Sequence, residues 1–131
     1  MFIDAAGCRI AATEYTSKHR RLSLRLQPLD VSDEFTVAFT EVAAYSFDRS
    51  HFGVISSVAV TPLGVLTNDW EKMLFADQSG LWPGSLPASP EEAANVASRL
   101  GLRGFTISFE SGVRAWVICS DFVLLGRRQR A

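Results

Sequence analysis

Between Arg21 and Gln27 the chain reads Arg-Leu-Ser-Leu-Arg-Leu-Gln, a polar residue and a leucine in strict turn. That period of two belongs to a pleated strand, whereas a helix would scatter the same leucines around its circumference. Leu22, Leu24 and Leu26 are therefore predicted to face a core, with Arg21, Ser23 and Arg25 facing water. A strand with one apolar side needs further strands beside it and an apolar layer against it. Pro28 closes the run, because it has no N–H to give to a ladder.

The same period recurs along the chain. Arg9 to Tyr15 is β-prone but less regular, and Asp30 to Glu34 is polar and reads as a connection. Phe35 to Phe47 is long for one strand. Phe35, Val37 and Phe39 share a face with Ala43, Tyr45 and Phe47, which leaves Glu41 midway on the apolar side. Either a bulge near Glu41 swings the carboxylate outward and bends the strand, or the carboxylate is buried with a partner. An unpaired buried carboxylate is costly, so the bulge is expected. The turn Asp48-Arg49-Ser50-His51 leads to Phe52–Val60, where Val54, Val58 and Val60 share a face, and the two runs read as a hairpin. Near the other end Phe105, Ile107 and Phe109 alternate, Glu110-Ser111-Gly112 turns, and Val113, Ala115 and Val117 return. Phe122 to Leu125 continues that strand after a break at Ser120-Asp121, and residues 126–131 read as a frayed basic tail.

Helical signals sit between these halves. Asn68 with Glu71 has the spacing of an N-cap and its reciprocating residue, opening a short helix with Trp70, Met73 and Leu74. A Gly/Pro/Ser-rich loop follows from Asp77 to Ala88. Ser89-Pro90-Glu91-Glu92 is then a capping box with proline in the first turn. Ala93, Val96, Ala97 and Leu100 follow at helical spacing, and Gly101 is the stop. The sequence thus predicts a single α+β domain over residues 1–131. It is mainly an antiparallel β-sheet of about six strands, with one or two short helices packed on one face.

Hydrophobic content of 47% with 21% charged residues suits a globular chain and excludes wholesale disorder. No apolar run approaches ~18 residues, so no membrane contact is expected. The first residues lack a basic region followed by an apolar stretch, so a cytoplasmic location is expected. Cys8 and Cys119 have no CxxC neighbour and read as small buried hydrophobes.

The chain offers little chemistry. Ser, His and Asp crowd only at Asp48-Arg49-Ser50-His51, where four consecutive residues make a good turn and a poor triad. His19 and His51 stand apart from any ligand spacing, so no metal is expected. Gly101-Leu102-Arg103-Gly104 follows a helix and cannot aim a helix N-terminus at a phosphate, and no cofactor is expected. Of 14 aromatic residues most lie at core parity. Trp82, in the loop Leu81-Trp82-Pro83-Gly84, either plugs the core or serves as a contact.

Charge is the more informative signal. Residues 1–27 carry net +3, residues 28–92 net −8 with ten carboxylates, and residues 93–131 net +4. If the terminal strands are neighbours, the molecule has a basic and an acidic side, which would steer and orient docking. The basic residues lack interleaved aromatics and match no nucleic-acid motif, which argues against nucleic acid as the partner. In size, make-up and want of catalytic machinery the chain resembles bacterial immunity proteins as a type. That resemblance implies a small cytosolic protein-binding module, masking a basic toxin. Its contacts are expected at Asp69, Glu71 and Asp77, with Trp82 as anchor. The alternatives are a small-molecule sensor with an aromatic-lined pocket, and an enzyme assembled around Glu41.

Overall fold

The computed structural model describes residues 6–16, 18–29, 33–46, 53–66, 89–112 and 114–129. Eight strands and two helices are described among them: β1 (Cys8–Thr16), β2 (Arg21–Pro28), β3 (Asp33–Thr40), β4 (Ala44–Ser46), β5 (Ile55–Thr61), β6 (Arg103–Phe109), β7 (Arg114–Cys119) and β8 (Asp121–Gln129), with α1 (Leu63–Leu66) and α2 (Pro90–Arg99). The strands form two antiparallel sheets, β1-β2-β3-β8 and β4-β7-β6-β5. Eight strands replace the expected six because two long runs are each cut in two.

Those cuts make the corner of the fold. β3 and β8 pair as far as Thr40 opposite Asp121, and β4 and β7 resume the same ribbon in the other sheet. At the bend the Ser120 amide donates to the Thr40 carbonyl at 2.8 Å, and the two hydroxyls lie 2.9 Å apart. Glu41 takes φ +50 there and is exposed, so the carboxylate leaves the apolar face as the strand turns. Strands that switch sheets through such a bend are the usual corner of an orthogonal sandwich. The sheets meet again at the far side. Arg9 bridges Val54, and the Gly7 amide donates to the Ile55 carbonyl at 2.9 Å.

Side chains of period two fill the space between the sheets. Leu22, Leu24 and Leu26 meet Val37, Phe39, Ile107, Phe109, Val117 and Phe122 in one buried cluster. Phe39 stacks on Phe122 at 4.7 Å and tilts against Phe105 at 5.7 Å. β7 is buried on both faces: Ala115, Val117 and Cys119 join this core, while Trp116 and Ile118 face a second cluster with Ala93, Ala97 and Leu66 from the helices. That second layer places α2 outside the β4-β7-β6-β5 sheet. α2 begins as its sequence dictates, with Ser89 Oγ accepting from the Glu92 amide at 3.1 Å, and Gly101 leaves it at φ +74.

Four expectations are corrected. The hairpin between Phe35–Phe47 and Phe52–Val60 does not form, since β4 pairs with β7 and β5 with β6. The C-terminal residues do not fray at Gly126, because β8 continues to Gln129 opposite Asp33. That pairing also draws Asp33 and Glu34, expected in a connection, into β3. Val60, expected to share a face with Val54 and Val58, is 58% exposed near the end of the outer strand β5, while Val58 is buried. The helix expected from Asn68 lies outside the described residues.

Candidate functional site

Asp69, Glu71, Asp77 and Trp82 all lie outside the described residues, as does the turn Asp48-Arg49-Ser50-His51. The chain passes to that acidic stretch from Leu66 at the end of α1 and returns at Ser89, the cap of α2. Both points belong to the helical side of the molecule, where Leu66 and Ala93 share a buried cluster. α2 adds Glu91 and Glu92, both exposed, with Arg99 in its last turn.

The other side is built from the ends of the chain. β1, β2 and β8 share one sheet, separated only by β3. The alternation of β2 buries its leucines and so turns Arg21, Ser23, Arg25 and Gln27 to the outer face. There Arg9 donates to Gln27 Oε1 at 3.0 Å, and Arg25 lies 3.5 Å from the carboxylate of Glu34. Arg25 is half exposed while Glu34 is buried, so the pair holds its carboxylate end in the protein and its cationic end in water. Ala12, Thr13, Glu14, Ser23, Arg25 and Thr36 line a shallow open depression on this face. A bulge in β1 between Ile10 and Ala12 shapes its rim.

The β1–β2 turn extends the basic side. Lys18, His19 and Arg20 are exposed, and Arg20 takes φ +48 with its carbonyl accepting from the Val42 amide at 2.8 Å. That bond ties the basic turn to the corner at Glu41. Tyr15 and Tyr45 lie beside it with ring centroids 5.6 Å apart. Burial pushes the Tyr15 hydroxyl pKa above its ordinary value, partly opposed by the charge of Arg20.

The remaining candidates have structural surroundings. Cys8 and Cys119 are both buried in the main core and are not joined in a disulfide. Burial pushes the Cys119 thiol up to about 12, so it is protonated at neutral pH and poorly nucleophilic. The described core aromatics Phe39, Phe105 and Phe122 pack against one another. Among the described residues no three His, Cys, Asp or Glu side chains gather where they could hold a metal ion. Glu41 is exposed at the corner, as the expected bend of the strand requires.

Comparison with family models, curated proteins and solved structures finds no match to this chain. Among the described residues no helix is long and apolar enough to cross a membrane. Sequence reasoning missed the Arg25–Glu34 pair, because pairing a strand with one nine positions later needs the register. It also missed the two-sided burial of β7, which the unbroken apolar run Ala115-Trp116-Val117-Ile118-Cys119 does signal.

Proposed function

We propose that this chain is a small protein-binding module without catalytic activity, which recognises a partner bearing a basic surface. Masking of a basic toxin, as immunity-type proteins do, is the sharpest form of that reading. The observation that carries it is the placing of charge. Strands β1, β2 and β8, from the two basic ends of the sequence, lie in one sheet, although Arg103 and Arg114 stand on β6 and β7 of the other. The helices α1 and α2, which flank the acidic stretch, pack on the outer side of that second sheet. A molecule with opposed charged sides attracts a charged partner and orients it as it arrives. The packed interior supports the same reading, since nine side chains from both sheets that line it are less than 2% exposed and leave recognition to the surface.

The residues proposed for contact are Asp69, Glu71 and Asp77, with Trp82 as a hydrophobic anchor. Capture from the native host on the immobilised chain, followed by intact mass of what is retained, tests the proposal. A basic protein should be retained, and the variant Asp69→Lys/Glu71→Lys/Asp77→Lys should lose it while keeping its fold by circular dichroism. Retention of nucleic acid or of an acidic protein, or equal capture by the variant, would overturn the reading.

A further inference from the structure

β8 is the outer strand of its sheet, paired with β3 on one side, and among the described residues no strand pairs with its other edge. A bare edge presents a row of unused N–H and C=O groups, which proteins commonly protect with lysine, proline or a covering element. Between Phe122 and Gly126 β8 has neither lysine nor proline. Instead Leu124 is 49% exposed and Leu125 43%, two of the five large apolar side chains that stand open to solvent among the described residues. One residue is inserted at Leu125, since Val37 faces Leu124 and Thr36 faces Gly126. A bulge there strengthens the local twist without covering the edge.

The sequence of the edge specifies its occupant. It runs Asp121-Phe122-Val123-Leu124-Leu125-Gly126-Arg127-Arg128, acidic at the start, apolar in the middle and basic at the end. Such a strand is complementary to itself when reversed. A two-fold centred between Leu124 and Leu125 sets the Asp121 position of one protomer opposite the Arg128 position of its partner, twice, with the leucines meeting between. Asp121 and Arg128 share a face of the sheet, since they lie opposite Thr40 and Glu34 of β3. Parallel pairing in register would instead set arginine against arginine, and like charges directly opposite disfavour a pair.

We propose that two copies of this chain associate edge to edge through β8, antiparallel, so that one sheet runs through both protomers. The contact is isologous: each copy offers the same strand, so the assembly closes at two and does not grow into a fibre. The proposal is independent of the partner-binding reading, since it uses the far end of the basic sheet and none of Asp69, Glu71, Asp77 and Trp82.

Sedimentation equilibrium of the full chain over a concentration series tests it. The weight-average mass should rise from one chain toward two and level there. Leu125→Lys, which puts a charge on the bare edge, should hold the mass at one chain. Arg128→Asp should weaken association several-fold, and Asp121→Arg combined with Arg128→Asp should restore it. Hydrogen exchange of the wild-type chain gives a second reading that needs no variant: amides between Phe122 and Gly126 should gain protection as concentration rises. A wild-type mass of one chain throughout, a mass rising beyond two, or a dimer that Leu125→Lys leaves intact would overturn the proposal.

Discussion

Replacing Gly104 by alanine should destabilise the fold, against the usual effect of that change. Gly104 is buried in β6, opposite Thr61 of β5 on one side and Ile118 of β7 on the other. A Cβ built there would lie 2.7 Å from the Thr61 carbonyl oxygen and would run into the side chain of Leu66. The leucine can swing aside, but the carbonyl belongs to the β5–β6 ladder and moves only with the strand. Where the backbone conformation suits it, glycine to alanine gains about 0.4–1 kcal/mol by restricting the unfolded chain. Forcing an extra methyl into a packed site costs about 1–3 kcal/mol. The second effect wins here, so Gly104→Ala should lose about 1.3 kcal/mol, the difference between the midpoints of those two ranges. Urea denaturation followed by circular dichroism measures this as a lowered midpoint at unchanged slope. In a Leu66→Ala background the loss should shrink without vanishing, since the Thr61 contact remains. A Gly104→Ala protein as stable as wild type would show that α1 and β5 do not press on β6 as described.

Two other perturbations follow from local geometry. Cys119 has its pKa raised by burial to about 12 from 9.0, so the unfolded thiol ionises first as pH rises. Stability from this group is present in full below about pH 9 and is lost toward about pH 12, falling by about 1.4 kcal/mol per pH unit at most. Urea midpoints from neutral to alkaline pH check the sign, and a Cys119→Ala protein with the same alkaline slope as wild type would refute the assignment. Glu41 is exposed at φ +50, so Glu41→Gln should change stability by less than about 0.5 kcal/mol. Glu41→Gly should gain up to about 1 kcal/mol by removing the left-handed strain, and Glu41→Gly melting below wild type would contradict this.

How much of this was legible beforehand depends on whether the controlling interaction is local. The burial of Leu22, Leu24 and Leu26, the cap of α2 at Ser89 and its stop at Gly101 depend on residues a few positions apart, and they read directly from the sequence. The corner at Glu41 was legible as a conflict, a carboxylate at core parity that only a break could resolve. Strand partners were not legible, because β3 meets β8 and β4 meets β7 across most of the chain, and parity says nothing of which strand lies alongside. The hairpin expected after Phe47 failed for that reason: adjacency in sequence was taken for pairing. The basic tail shows the same limit, since composition does not reveal that the backbone of Arg127, Arg128 and Gln129 pairs with β3. The charge pattern lay open in the sequence, but its meaning required the topology that brings β1, β2 and β8 into one sheet.

Association kinetics with the basic protein captured from the host test the binding account most directly, measured over a series of ionic strengths. Screening shortens to about 8 Å at physiological salt, so a charge-steered encounter slows as salt rises. The account predicts an association rate that falls steeply with ionic strength while dissociation changes little, and a variant reversed at Asp69, Glu71 and Asp77 that has lost most of that dependence. An association rate indifferent to salt, or one whose salt dependence survives the reversal, would show that the acidic stretch does not guide the partner.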